Sequence, residues 1–170
     1  MPLGSGVGVA KPNLWVSWRL SSQMEDWCRD FDNWAVVDTV CFKLFDRAAA
    51  PLAFAKVDQW SRRDGARQEF VKRAGLALLA SLALHDEESP DEAFASRLPL
   101  IERGARDGRN FVKKAASWAL KAVGSRSKPM KAAAVAVAER LALAPPGSPA
   151  RWVGRDAIKG MGARATRRGP

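Results

Sequence analysis

The stretch Asn33-Trp34-Ala35-Val36-Val37-Asp38 decides the fold, because the chain repeats its pattern three times. Each later copy opens with an aromatic residue, and the copies are Phe70–Ala74, Phe111–Ala115 and Trp152–Ala157. The four opening aromatics are 36, 41 and 41 residues apart. Similarity at a period of about 40 residues predicts stacked units of two helices each.

The composition indicates the same fold class. The 170 residues are 47% hydrophobic, much of this is Ala and Leu, and runs of β-branched residues are scarce. We therefore predict an all-α chain, an α-solenoid of about four HEAT-like antiparallel helix pairs. The predicted repeat domain spans residues 13–162, between a disordered Gly-rich segment (1–12) and a disordered basic tail (163–170).

The helix boundaries follow from caps and breakers. Asn33 is expected to cap the second helix, which runs through Phe45. The fifth helix begins at Ser89 or Asp91 and ends near Gly104, and the eighth runs from about Pro149 to Met161. Pairing the helices in order places every repeated motif at the start of a unit's second helix. We expect those second helices to line one surface, the concave one.

Charge is divided unevenly along the chain. The overall net charge is +10, but residues 1–102 carry −3 and residues 103–170 carry +13. A strongly basic half predicts a polyanionic partner, either nucleic acid or an acidic membrane surface. The alternatives are a charge that serves solubility and a basic tail bound to a ribosome.

The remaining sequence signals exclude several classes of protein. Cys28 and Cys41 are too few for a disulfide framework and lack metal-ligand spacing, so we expect reduced buried thiols in a cytoplasmic protein with no metal and no cofactor. The lone His85 lies in an acidic segment without a second ligand nearby, and we expect no catalytic or ligand role for it. No leader or membrane-spanning segment is recognisable.

Four side chains with chemical potential share one helix face. With each opening aromatic at position zero, Asp38 lies at +4, Arg73 at +3 and Trp118 at +7, alongside Trp34 itself. Other interpretations remain open from spacing alone. The tryptophans could pack between helices. Asp38 could be a capping or ion-pair residue near a helix start, where the helix dipole favours an acid. Arg73 could pair with Asp38 so that both are neutralised.

These motifs resemble those of the AlkD-like DNA alkylation repair family, which are HEAT-like repeat DNA glycosylases. The resemblance rests on Asn33–Asp38, on Phe70–Ala74 and on Asn110–Leu120, and it covers about residues 25–162. Phe70 stands where a tryptophan is usual. Family members also carry about two more helical units before the Trp-x-x-x-Asp segment. This chain is therefore expected to be a natural short member, a decayed paralogue or a fragment with a misplaced start.

The resemblance implies a function and a set of site residues. It implies hydrolysis of the N-glycosidic bond of cationic purines, such as 3-methyladenine and 7-methylguanine, in double-stranded DNA held on the concave face. Asp38 would stabilise the developing sugar cation, Trp34 and Trp118 would offer π-faces, and Arg73 would hold a phosphate. Further phosphate contacts are expected from Lys72, Arg109, Lys113, Lys114, Arg155 and Lys159.

Two other functions are compatible with the same sequence. The scaffold could bind nucleic acid without turnover, with Lys113 and Lys114 as part of a solvated basic face. It could also be a protein-interaction scaffold. Trp15 and Trp18, so close to the chain start, could pack onto the next helix or form a homodimer with a second chain. We expect a bacterial-type protein associated with the nucleoid when bound to DNA.

Overall fold

The computed structural model describes the backbone of residues 14–48 and 50–167, with side chains from residue 18 to residue 162. In these ranges the chain forms nine α-helices and one 3-10 turn, and no strand. The helices are α1 (Leu14–Arg29), α2 (Trp34–Lys43), α3 (Ala50–Trp60), α4 (Glu69–His85), α5 (Asp91–Ala95), α6 (Leu98–Ala105), α7 (Asn110–Val123), α8 (Lys128–Ala142) and α9 (Pro149–Arg167). The 3-10 turn, Phe45–Arg47, follows α2. The all-α prediction is confirmed.

Helix α4 is the centre of the molecule. Every residue from Val71 to Ala83 is buried, so the helix has no wide solvent face. A helix that is buried on all sides must have neighbours on all sides. Accordingly, α4 packs on α2, α3 and α7.

The helices form two layers of a short solenoid. The second helices of the units, α2, α4, α7 and α9, follow one another as neighbours in one layer, and α3, α6 and α8 pack behind α4, α7 and α9. Gly154 near the start of α9 lies against Ala138–Ala142 at the end of α8, as expected for an antiparallel pair. The predicted pairing of the last three units and the predicted layer of motif-bearing helices are confirmed.

The first unit differs from the prediction. Helix α1 makes its larger contact with α4 rather than with α2, and Glu25 of α1 accepts hydrogen bonds from Lys56 Nζ and Trp60 Nε1 of α3, each 2.7 Å long. Burial alone would raise the pKa of Glu25, but these hydrogen bonds outweigh it and lower the pKa. The polar contacts of Glu25 therefore tie α1 to the first helix of the next unit.

Three helix boundaries also differ. Helix α2 ends at Lys43, and Phe45 belongs to the 3-10 turn. The predicted fifth helix is broken into α5 and α6, since Pro99 lies in the first turn of α6 and cannot donate a backbone hydrogen bond. Helix α9 continues to Arg167, beyond the predicted domain end at 162, because Ala and Arg in 163–167 favour the helix. The disorder predicted for 1–12 and for 168–170 lies outside the described residues.

Two further predictions concern cysteine and membrane. Cys28 and Cys41 are free and buried, and burial raises the pKa of the Cys28 thiol to about 12. Among the described residues, no helix combines the length and the apolar character needed to cross a membrane.

The homodimer stays a prediction. Trp18 is 66% exposed, which leaves it accessible to a partner. The side chain of Trp15 lies outside the described residues.

Gly154→Ala tests the close approach of α8 and α9. A Cβ built at Gly154 would lie 2.4 Å from the backbone nitrogen of Ala142 and 2.5 Å from the carbonyl oxygen of Ala138. These are backbone atoms, so the two helices must separate, and we expect a loss of about 2–3 kcal/mol in the free energy of unfolding by urea denaturation.

Gly162→Ala is the matched control in the same helix. A Cβ at Gly162 meets nothing within 4 Å among the described residues, so alanine should stabilise α9 by about 0.5–1 kcal/mol through its higher helix propensity. Equal effects of the two substitutions would contradict the proposed helix contact.

Candidate functional site

A carboxylate and a guanidinium from neighbouring second helices form a two-pronged ion pair. The Asn33 side chain accepts a hydrogen bond from the Val36 amide (3.0 Å), which caps α2 and places Trp34 and Asp38 on successive turns. From α4, Arg73 donates Nε to Asp38 Oδ1 (3.0 Å) and Nη2 to Asp38 Oδ2 (2.7 Å). The spacing of the repeated motif therefore does bring these two residues together.

Arg73 is fully engaged within the protein. Its third nitrogen, Nη1, donates to the backbone oxygen of Phe111 at 2.8 Å, so one side chain joins α2, α4 and α7. Arg73 is 6% exposed, whereas the Asp38 side chain retains 22% exposure. The phosphate contact predicted for Arg73 does not fit this geometry, because the guanidinium is buried and already paired. In this structure Arg73 holds the Asp38 carboxylate in place.

Trp34 lies at the surface, one helical turn before Asp38. The indole is 51% exposed, which is incompatible with packing between helices as its main role. It therefore presents an accessible aromatic ring beside the carboxylate.

Trp118 reaches the same face of α2 through an aromatic contact. Its ring stacks on Phe42 with centroids 4.7 Å apart and planes 8° from parallel, and both side chains are partly buried. Phe42 follows Asp38 by one helical turn, so Trp34, Asp38 and Phe42 form a row along α2. The structure thus places Trp118 beside this row.

Sequence reasoning missed Phe42 and His85. Phe42 could have been found, because it continues the four-residue spacing of Trp34 and Asp38. His85 could not, since nothing in its acidic surroundings indicates a contact with α2. Its ring meets Phe42 edge-on (centroids 5.4 Å apart, 85°).

A buried carboxylate holds His85 in place. Asp46 Oδ2 lies 2.8 Å from His85 Nδ1 and accepts a hydrogen bond from Ser81 Oγ, also at 2.8 Å. The Asp46 side chain is only 6% exposed. The imidazole is therefore fixed at the end of the Phe42–Trp118 stack, and the expectation that it has no catalytic or ligand role stays a prediction.

Two cations predicted to contact phosphate form ion pairs with aspartates of the protein instead. Lys72 is 2% exposed, and its ammonium lies 2.7 Å from Asp64 and 3.0 Å from Asp107. Arg109 donates to both oxygens of Asp107 (2.9 and 2.6 Å) and to the Gly65 carbonyl (3.0 Å). These residues fasten α4 and the loop before it to the α6–α7 connection. Both side chains are therefore occupied by protein partners and do not fit the predicted phosphate track.

The other predicted cations remain open to a ligand. Lys114, Arg155 and Lys159 are exposed and Lys113 is half-buried, and none of them has a carboxylate within ion-pair distance in the described part of the chain. Lys113 Nζ lies 5.3 Å from the ring centroid of Trp152. They belong to α7 and α9, two helices of the layer that carries Asp38.

Residues 16–161 match the model of the DNA alkylation repair enzyme family. The chain belongs to this family. No curated protein and no solved structure gives a significant match. Family membership confirms the predicted resemblance over most of the chain. Within the described ranges, no group of three or more His, Cys, Asp or Glu side chains is placed to hold a metal ion.

Asp107 provides a test of the ion-pair cluster at different pH values. Burial alone would raise the pKa of its carboxyl, but hydrogen bonds from Arg109 and Lys72 outweigh burial and hold the pKa well below its ordinary value. Ionised Asp107 therefore stabilises the folded chain above the ordinary aspartate pKa of about 4, and this contribution is lost as the pH falls through the lowered value.

We expect Asp107→Asn to lower the free energy of unfolding by about 2 kcal/mol at pH 7, because the buried Lys72 loses one of its two partners. The difference from wild type should shrink as the pH falls below about 4. Urea denaturation across this range measures both effects. Asp30→Asn, at an exposed position on the surface, is the control. A difference that grows in acid would contradict the assignment.

Proposed function

We propose that this chain is a DNA glycosylase that hydrolyses the N-glycosidic bond of cationic N-alkylated purines in duplex DNA. Membership of the DNA alkylation repair enzyme family supports DNA as the substrate. The observation that carries the proposal is the Asp38 carboxylate, gripped on one side by Arg73 and flanked along α2 by Trp34 and Phe42.

Hydrolysis of this N-glycosidic bond needs a carboxylate in a fixed position more than it needs a general acid to protonate the base. An N-alkylated purine is already cationic, so it leaves without protonation while positive charge develops on the deoxyribose. A carboxylate beside that sugar stabilises the charge and orients the attacking water. Asp38 uses two of its roughly four lone-pair sites on Arg73. The remaining sites, on a side chain that is 22% exposed, can face the sugar or a water.

The aromatic groups suit a cationic base. Trp34 is exposed one turn before Asp38, and Trp118 stands on Phe42 one turn after it. An indole face attracts a nearby cation by about 0.5–2 kcal/mol, depending on how dry the contact is. We infer that the two indoles flank the lesion nucleotide, and that neither 3-methyladenine nor 7-methylguanine requires a metal or a cofactor for release.

The duplex would be held by the cations of α7 and α9. Lys113, Lys114, Arg155 and Lys159 lie in the basic half of the chain, where few carboxylates are available to pair with them. Phosphate contacts of this kind position DNA without reading its sequence. Because its substrate would be DNA, the proposal includes a cytoplasmic location with association to the nucleoid.

A nucleic-acid-binding module without turnover is the second candidate. The observation that favours it is the same ion pair, since Arg73 satisfies Asp38 and partly cancels its charge. Base release from alkylated duplex DNA by the purified chain separates the two candidates.

Asp38→Asn tests the catalytic role directly. We expect release of 7-methylguanine to fall by about 100-fold or more, because the amide cannot offset the developing positive charge. Binding to undamaged duplex should stay within about twofold of wild type, since phosphates supply most of the affinity. Circular dichroism would verify folding, because Arg73 loses its partner. Release at the wild-type rate would rule out the role assigned to Asp38.

Lys114→Glu tests the phosphate track. We expect weaker binding to any duplex sequence, and a plot of log affinity against log salt concentration that is shallower by about one unit. Lys128→Glu makes the same charge change at an exposed position on α8, in the opposite layer, and serves as the control. Equal weakening by both variants would indicate that net charge alone, rather than a surface on α7, governs binding.

A further inference from the structure

A basic hollow lies in the last repeat, away from Asp38. It has a volume of about 660 Å³ and is bounded by the start of α7, by the connection Pro146–Pro149 and by the first turns of α9. Its walls include Lys113 from α7 and Arg151, Trp152, Arg155 and Lys159 from α9. A concavity of this size accommodates a single nucleotide-sized ligand.

The cations of this hollow are not neutralised by the protein. Arg151, Arg155 and Lys159 follow one another at four-residue intervals on α9, with Lys113 across from them. None of the four has an ion-pair partner among the residues that the structure describes. The acid in the wall, Asp156, is engaged by Ser117 Oγ and by Lys121 Nζ at 2.7 Å. Four cations without carboxylates attract an anion with several negative oxygens.

An exposed indole distinguishes this hollow from a simple phosphate track. Trp152 is 40% exposed, and the Lys113 ammonium lies 5.3 Å from its ring centroid. Holding the backbone of a paired duplex requires cations and amides, because paired bases are stacked inside the helix. A cationic groove combined with an aromatic ring is instead the arrangement that binds single-stranded nucleic acid, in which an unpaired base stacks on the ring.

We propose that this hollow binds one unpaired nucleotide of a DNA strand. The base stacks on Trp152, and the adjoining phosphates contact Arg151, Arg155 and Lys159. The hollow contains no residue of α2, so it is distinct from the Asp38 site. It shares Lys113, Arg155 and Lys159 with the phosphate track proposed above, at the point where a duplex would continue into a single strand. It gives the protein a preference for duplexes that carry a single-stranded flank, and this preference requires no catalytic step.

Three DNAs without alkylated bases test the proposal by fluorescence anisotropy at fixed salt. The first is a blunt duplex, the second carries a short overhang of adenine nucleotides, and the third carries an overhang of abasic nucleotides with the same phosphates. The wild-type chain should bind the adenine overhang about tenfold more tightly than the abasic overhang, the size expected for stacking of a base on one aromatic ring. A wild-type ratio near one overturns the proposal.

Matched variants identify the residue responsible. Trp152→Ala should reduce the adenine-to-abasic ratio to about one, and Trp152→Phe should retain most of it. Trp18→Ala removes another exposed indole, 66% accessible on α1, and should leave the ratio unchanged. Arg155→Ala should weaken both overhang complexes by the same factor, because it removes a phosphate contact only. A ratio that survives Trp152→Ala overturns the assignment.

Failure of this inference is distinguishable from failure of the proposed function. Base release from blunt alkylated duplex reports on Asp38, whereas the adenine-to-abasic ratio is measured on DNA that contains no alkylated base to release. A chain that shows the ratio but releases no base retains the nucleotide site and loses the glycosylase assignment. A chain that releases base but binds both overhangs equally keeps the glycosylase assignment and loses the nucleotide site.

Discussion

The structure depends on ion pairs that reach from one helical repeat to the next. Three cations are almost fully buried, and each meets a carboxylate from another repeat: Lys56 with Glu25, Lys72 with Asp107, and Arg73 with Asp38. A buried charge without a partner destabilises a fold by several kcal/mol, so these pairs form only when neighbouring repeats are in register. Partly exposed pairs continue the pattern, Arg97 with Asp58 and Arg126 with Asp91.

Because such pairs recur through the molecule, the ion pair of Asp38 with Arg73 does not by itself mark a functional site. Like Asp156, Asp38 is preceded by an exposed indole one turn earlier, but the Phe42–Trp118 stack follows it by one turn, where Gly160 follows Asp156. The pair fixes the carboxylate, and in the proposed function the aromatic row beside it is the surface on which a nucleotide would lie.

The aromatic repeat predicted the helix layers because spacing alone determines which face of a helix a residue occupies. It therefore also predicted that Asp38 and Arg73 meet. It could not predict which cations pair within the protein, because packing decides which acid a cation meets: Asp107 lies one repeat from Lys72 but only two residues from Arg109. Lys72 and Arg109 have the same sequence appearance as Lys114, yet two of the three are held by Asp107. Phe42 was within reach of the same spacing argument, whereas His85 depends on the 3-10 turn that brings Asp46 beneath it.

The charge asymmetry of the sequence acquires a structural meaning from these pairs. Residues 1–102 carry more acids than bases, so the buried and half-buried cations of the first repeats find carboxylates and the repeats lock together. After residue 102 only three acids remain for sixteen bases, and Asp107 and Asp156 are both engaged internally. The surplus cations of α7 and α9 have no ion-pair partner among the described side chains, and they extend the layer that carries Asp38. The first half of the chain thus holds the Asp38 carboxylate in a fixed position. The second half supplies the positively charged surface that would attract a polyanion toward Asp38.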